Sequence, residues 1–204
     1  MNASLFISYL VFCIVMTCTP GPNNALVMLS GARFGIVKTF PLVFGIAFGI
    51  AIQLLAIGVG LNKFFLAFPK FQFILSLIGS AYIIWLAWKI ASSGPLNIAL
   101  EQKPSMGFLQ GVLFQWINPK AWIISISTIT TYFSFKSHLN DIIHAALILM
   151  LVSIPCVGIW AIGGIFLRKL LMKPIFALTF NITMAIALLI AVLPAALQLM
   201  STQA

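Results

Sequence analysis

Long apolar stretches separated by short polar or Pro/Gly-rich connections make up most of this chain. A helix that spans a bilayer takes about 20 mostly apolar residues, and six such stretches fit between the connections. They run from about Leu5 to Leu29, Gly35 to Leu61, after Lys70 to Lys89, Phe108 to Phe133, Leu139 to Phe166 and Pro174 to Leu197. The pattern predicts an all-α integral membrane protein with six transmembrane helices.

The first and fourth of these spans are interrupted by residues that break helices. In lipid, every free backbone group must find a partner, so irregular backbone is tolerated only around a cavity or inside the bundle. The alternative is a simple kink or a helix end at the membrane surface. The candidate substrate-binding residues at the two breaks are Pro20, Gly21, Pro22, Asn23, Asn24, Gln115, Asn118, Pro119 and Lys120.

The two breaks also indicate an internal duplication. Pro20 and Pro119 are 99 positions apart in a chain whose half-length is 102. Three spans per half is an odd number, so the second copy must enter the membrane from the opposite side, as in transporters with inverted repeats. We expect one domain, 1–204, with a first repeat at about 1–95 and a second at about 105–204.

Composition excludes an ordinary soluble enzyme, because 62% of the residues are hydrophobic and only 6% are charged. The net charge is +9, and the basic residues are distributed singly over the loops. This distribution indicates which loops face the cytoplasm and does not indicate a nucleic-acid partner. The odd-numbered loops contain seven basic residues: Arg33, Lys38, Lys89, Lys103, Arg168, Lys169 and Lys173. The even-numbered loops contain three: Lys63, Lys70 and Lys136. Both termini are therefore predicted on the outer, periplasmic side of a bacterial inner membrane.

Two broken helices that meet near the midplane suit a zwitterionic substrate. Half-helix N-termini offer N–H groups to a carboxylate, and C-terminal ends offer carbonyls to an ammonium group. Lys120 is the cation expected within a span, where it would attract the substrate carboxylate or change protonation during transport; the alternative is snorkelling to the headgroups. No Asp or Glu is expected within a span, which disfavours metals and cationic substrates and favours small neutral amino acids. No cofactor is predicted.

Several other polar residues are candidates for secondary roles. Gln53, Tyr82 and Asn181 would line the cavity, or else serve as interhelical hydrogen bonds and aromatic packing. Asp141 and His144, three positions apart on one helix face, would form a proton-accepting pair near the outer mouth, or else a solvated helix start.

Small residues in the second span predict close helix packing. Gly45 and Gly49 form a GxxxG pattern, which packs helices together either inside one protomer or between the protomers of a homodimer.

Other classes of function lack their usual signals. The chain contains no HExxH, GxSxG or Walker A pattern for an enzyme. Cys13, Cys18 and Cys156 lie in apolar stretches without CxxC or zinc spacing and are expected to be packing residues. A passive channel for small zwitterions and a membrane thiol-redox carrier remain alternatives to a transporter.

The residues at the breaks resemble a known family. Thr19-Pro20-Gly21-Pro22-Asn23-Asn24, the segment Gly31 to Gly35 and Asn118-Pro119-Lys120-Ala121 are similar to the LysE/RhtB amino-acid exporters. The resemblance implies export of amino acids across the inner membrane, driven by the proton gradient. The stretch Gly79 to Ile90 resembles the cysteine and O-acetylserine exporters, whereas the Asn-Pro-Lys break resembles the homoserine and threonine exporters.

Overall fold

A computed structural model describes residues 3–61, 67, 69–95, 106–133 and 138–201. Within these ranges the chain forms seven α-helices and no strand. The helices are α1 (Ala3–Cys18), α2 (Pro22–Ala56, continued by a π-helical segment, Ile57–Leu61), α3 (Pro69–Ala91), α4 (Phe108–Ile117), α5 (Pro119–Tyr132), α6 (Leu139–Leu171) and α7 (Pro174–Ser201). The side chains of four basic residues from the loop count, Lys63, Lys70, Lys103 and Lys136, lie outside the described part.

The helix boundaries follow the predicted spans. The first span consists of α1 and the first part of α2, because α2 is kinked at Gly35, whose φ of 78° and ψ of 176° are not helical. A positive φ is accessible to glycine without the steric cost that a side chain adds. The second span is the rest of α2, and the fourth span consists of α4 and α5. The all-α prediction is confirmed, and the inverted arrangement of the two repeats stays a prediction.

Small residues let α2 approach two helices of the other half of the chain. A Cβ atom added at Gly49 would lie 2.8 Å from the Cα atom of Val112 in α4, and one at Gly45 would overlap the carbonyl of Phe108. The GxxxG face is therefore covered by α4 of the same chain, as the intramolecular alternative predicted. Farther along, Gly31 of α2 meets α6 in the same way.

Helices α3 and α7 pack together as a pair. Ile83, Leu86 and Leu188 are buried between them. The same apolar cluster includes Ala25 of α2 and Phe114 of α4, which are adjacent in sequence to Asn24 and Gln115. The pair therefore touches the rest of the bundle beside the two helix breaks.

The outer surface of the bundle is strongly apolar. Val37, Phe166 and Ile175 are each about 80% exposed (81%, 79% and 80%). Among the described residues, the segments Pro22–Gly60 and Leu139–Leu171 are long and apolar enough to cross a membrane. An apolar surface of this kind suits contact with lipid rather than water.

Candidate functional site

The first break comprises residues 19–21, between α1 and α2. Pro22 begins α2, at a position where its missing N–H costs nothing. Asn24, in the first turn of α2, reaches back: its Nδ2 atom donates to the carbonyl oxygens of Thr17 (3.0 Å) and Thr19 (2.7 Å). The side chain of Asn24 thereby replaces helical hydrogen bonds that the end of α1 has lost.

The second break is a single residue, Asn118, with φ −87° and ψ 108°. Its Oδ1 atom accepts from the backbone N–H of Lys120 at 3.1 Å and so caps α5, which Pro119 begins. The Nδ2 atom of Asn118 is buried and has no hydrogen-bond partner among the described residues. A buried donor without a partner is costly, so this atom is an unsatisfied polar group at the second break.

A reciprocal pair of amides joins the two breaks. The Nδ2 atom of Asn23 donates to Oε1 of Gln115 at 2.9 Å, and Nε2 of Gln115 donates to Oδ1 of Asn23 at 3.0 Å. Nε2 of Gln115 also donates to the carbonyl oxygen of Gly111 at 3.0 Å. Gln115 is fully buried, so its hydrogen bonds are shielded from water and fix the distance between the two breaks.

Gln53 extends this network from α2. Its Nε2 atom donates to the backbone carbonyl of Gln115 at 3.1 Å, near the end of α4 where carbonyls lose their helical partners. The hydroxyl of Ser125 in α5 donates to Oε1 of Gln53 at 3.4 Å. Gln53 therefore links three helices through buried hydrogen bonds.

Lys120 crosses from the second break to the first. Its ammonium nitrogen, Nζ, donates to the carbonyl oxygen of Thr19 (2.7 Å), to Oγ1 of Thr19 (2.8 Å) and to the carbonyl oxygen of Pro20 (3.3 Å). Lys120 is half-buried, whereas Thr19 and Pro20 are exposed. The positive charge thus lies against the carbonyl end of α1, where the helix dipole favours a cation.

A small cavity of about 20 Å³ lies between the breaks. Its wall combines polar and apolar side chains from α1, α2, α5 and α6. The residues that line it are Met16, Thr17, Gly21, Asn23, Asn24, Ile46, Ile50, Lys120, Ala121, Ile124, Ser153 and Val157. This volume holds about one water molecule, so the space between the breaks is too small for an amino acid.

The predicted residues of the two breaks lie together with Gln53, and Gly21, Asn23, Asn24 and Lys120 among them line the cavity. Gln53, predicted to line it, instead connects helices beside it, and four other predicted residues lie elsewhere. Tyr82 packs edge-on against Phe114, with ring centroids 5.9 Å apart, and does not line this cavity. Asn181 donates to the carbonyl oxygen of Ser93 at 2.8 Å and so connects α7 to the end of α3. Two others, Asp141 (half-buried) and His144 (exposed), lie in the first turns of α6 and do not line it either. Their proposed proton-coupling role stays a prediction.

Thr19 and Ser125 belong to the site although the list of candidates did not include them. Thr19 stands inside the Thr-Pro-Gly-Pro-Asn-Asn segment and could have been found there. Ser125 carries no such signal, because a lone serine in an apolar helix is common.

The cysteines form a contact that spacing alone does not show. The thiols of Cys18 and Cys156 are neighbours, and Nε1 of Trp160, one turn beyond Cys156, donates to the carbonyl oxygen of Cys18 at 3.2 Å. Both thiols are free. A cysteine pair is therefore present at the first break, although its second member comes from α6 and not from the second break.

Comparison with known proteins adds independent information. The profile of the family described as "LysE type translocator" matches residues 14–201. A cysteine/O-acetylserine efflux protein from Salmonella paratyphi A is 28% identical over 166 residues, covering 80% of this chain and 84% of the relative. Proteins of the same name are 26% identical over 191 residues in Escherichia coli O157:H7 (93% and 96% covered) and 28% identical over 172 residues in Klebsiella pneumoniae (83% and 87%). No solved structure matches the chain significantly.

Proposed function

Because the chain belongs to the LysE-type translocator family, we propose that it exports small neutral amino acids or their derivatives from the cytoplasm across a bacterial inner membrane. Membership of this family makes it a membrane transporter and not an enzyme. The names of its relatives make cysteine and O-acetylserine the first substrates to test. Homoserine and threonine come second, on the resemblance of the Asn118-Pro119-Lys120 break.

The observation that carries this proposal is that two helix breaks, far apart in sequence, meet and are bonded to each other beside a small cavity. The Asn23–Gln115 amide pair and the Lys120–Thr19 contact make this connection. Breaks of this kind bind substrate in transporters, because half-helix ends present unpaired N–H and C=O groups.

The two ends of the first break suit the two charges of an amino acid. No side chain caps the N-terminus of α2 at Gly21 among the described residues, so N–H groups of its first turn are free to receive a carboxylate. The carbonyl oxygens of Thr19 and Pro20 face a positive charge already, that of Lys120. We assign the carboxylate to the start of α2 and the ammonium group to the end of α1.

The charge of the cavity supports neutral side chains in the substrate. No Asp or Glu is among the described residues that line it, and the whole chain has only two acidic residues. A second positive charge on the substrate would therefore find no partner and would pay the full cost of desolvation.

The small volume of the cavity requires movement during transport. A volume of about 20 Å³ is too small for an amino acid, so the walls must separate to admit substrate from one side and release it on the other. We propose alternating access between two inverted repeats, with both termini outside and with the proton gradient as the energy source. Lys120, Asp141 and His144 are the candidates to carry the proton.

The test is transport by purified protein in liposomes. Labelled cysteine, O-acetylserine, threonine, homoserine and lysine are offered with and without a pH gradient, and saturable, gradient-dependent uptake of the neutral substrates is expected. Gln115→Ala should reduce that uptake strongly. Gln110→Ala is the matched control, since Gln110 lies exposed in the same helix, where its Oε1 atom accepts from the N–H of Gly107 at the start of α4.

Three outcomes would count against the proposal. Absence of transport of every amino acid, or equal activity of the two glutamine variants, contradicts the assignment of the site. Uptake that neither saturates nor responds to pH indicates a passive channel.

The Cys18–Cys156 contact favours one other candidate, a membrane thiol-redox carrier. Such a carrier would pass electrons by thiol–disulfide exchange and would need both thiols. An exporter would keep its activity without them.

A further inference from the structure

The ammonium group of Lys120 is held by a cradle of three oxygen atoms. These are the carbonyl oxygens of Thr19 and Pro20 and the hydroxyl oxygen of Thr19, at 2.7 to 3.3 Å from Nζ. A lysine ammonium group has three N–H donors, so each donor has an acceptor in this cradle. The ammonium group of Lys120 is therefore bound to the end of α1. The sequence alone suggests a different role, in which this group attracts the substrate carboxylate.

The cradle is built in advance by another residue. Nδ2 of Asn24 donates to the carbonyl oxygens of Thr17 and Thr19, and so holds the end of α1 in position. The cradle can thus keep its shape when Lys120 leaves, since Asn24 and not the lysine connects it to α2.

The chain makes room for the lysine side chain at Gly21. A Cβ atom added there would lie 2.9 Å from Cδ and 3.2 Å from Nζ of Lys120. The φ of Gly21 is −177°, an extended conformation that any residue adopts. The backbone conformation therefore does not require glycine at this position. Glycine is required because any larger residue would collide with the side chain of Lys120.

We propose that this cradle is the binding site for the substrate's α-ammonium group and that Lys120 fills it as a tethered substitute while the transporter is empty. The inference rests on the proposed function. Both groups are primary ammonium ions with the same charge and the same three donors, so exchanging one for the other leaves the cradle satisfied. Thr19 and Pro20 are exposed, which lets an incoming ammonium group reach their oxygen atoms.

The exchange also brings a partner for the displaced lysine. The substrate carries its own carboxylate, and the four-carbon side chain of Lys120 is flexible enough to swing toward it. Positive charge thus occupies the break in both the empty and the loaded states. Hydrogen bonds alone change partners, and no covalent step is involved.

A tethered competitor lowers the apparent affinity for substrate by the fraction of time that the cradle is free. If Lys120 fills the cradle about nine-tenths of the time, keeping the cradle free should lower the half-saturating substrate concentration about ten-fold. Removal of Lys120 also removes the contact with the substrate carboxylate, so the fall in Lys120→Met should be smaller than this. Lys120→Met, with an unbranched apolar side chain, is the variant to test. The maximal transport rate should fall, because the empty transporter then has no cation in the cradle while it changes back to the conformation that accepts substrate.

Gly21→Ala provides a second variant that leaves Lys120 in the chain. The added methyl group pushes the lysine side chain out of its path, so the half-saturating concentration should fall in the same direction. Lys173→Met is the matched control, because Lys173 lies in the exposed turn between α6 and α7, and its kinetics should equal those of the wild type.

Binding of methylammonium gives a readout that does not depend on transport. Methylammonium should raise the melting temperature of Lys120→Met protein in detergent at concentrations that leave the wild type unchanged. A half-saturating concentration that rises or stays the same in Lys120→Met and Gly21→Ala, or methylammonium binding equal in Lys120→Met and wild type, overturns the inference. If the wild type transports no amino acid, the proposed function fails, and methylammonium binding still tests the cradle by itself.

Discussion

Gly31→Ala tests the closest approach between α2 and α6. A Cβ atom at position 31 would lie 2.7 Å from the Cα atom of Ala161 and 2.8 Å from its carbonyl carbon. The optimal separation of two such atoms is about 3.5–4.0 Å, so the helices would have to separate locally by about 1 Å. The atoms concerned belong to the backbone of α6 and cannot turn aside. The same movement would loosen a second contact, in which Gly164 of α6 lies against Met28 of α2.

The expected cost follows from two opposing terms. Overpacking of a well-packed interface costs about 1–3 kcal/mol, and replacing glycine by alanine within a helix returns up to about 1 kcal/mol. The difference between the two terms is about 0–2 kcal/mol. We expect a net loss of about 1–2 kcal/mol in the free energy of unfolding, the upper part of this range, because backbone atoms cannot move aside. Gly158→Ala in α6 is the control: nothing lies within 4 Å of its added Cβ atom, so it should be stabilised by about 0.5–1 kcal/mol.

The assay is equilibrium unfolding in mixed detergent micelles, with the two variants and the wild type measured side by side. The two substitutions are chemically identical, so helix propensity cancels between them and the difference reports the interface. Gly31→Ala protein as stable as Gly158→Ala protein would refute the close approach of α2 and α6.

Three further predictions concern the site and the core. Asn118→Ala removes the cap of α5 and should cost about 1 kcal/mol, measured by the same unfolding assay. Asn118→Ser, whose neutral side chain can also cap a helix, should retain most of that stability; equal losses in both would contradict capping by Oδ1. Tyr9→Phe removes the hydrogen bond from the buried hydroxyl to the carbonyl oxygen of Ala145 (3.0 Å) and should cost about 0.6–1.7 kcal/mol while leaving the choice of exported amino acid unchanged. Replacement of all three cysteines by alanine should leave export intact, and its loss in the transport assay would support the thiol-redox carrier instead.

The positions of the helices and of both breaks were predictable from the sequence. Apolar length sets where a spanning helix is needed, and Pro22 and Pro119 mark helix starts because proline lacks the N–H that an interior position must donate. The first break proved shorter than expected. Asn23 and Asn24, predicted within it, belong to the first turn of α2.

The partners of the polar side chains were not predictable. Asn23 and Gln115 are 92 positions apart, and the sequence shows that both are amides without showing that they face each other. Lys120 was expected to meet a carboxylate, but it lies against carbonyl oxygens of the first break. Contacts of this kind depend on how helices cross, which periodicity within one helix does not specify.

The interlocking of α2 with helices from the second half affects how the protein can be assembled. Gly31 and Gly49 bring α2 into backbone contact with α6 and α4, and α3 is covered by α7. Each sequential half therefore leaves its small-residue faces uncovered when it stands alone. The first half is synthesised earlier, so its helices remain incompletely packed in the bilayer until α4, α6 and α7 have been inserted. Stable tertiary structure therefore requires helices from both halves of the chain.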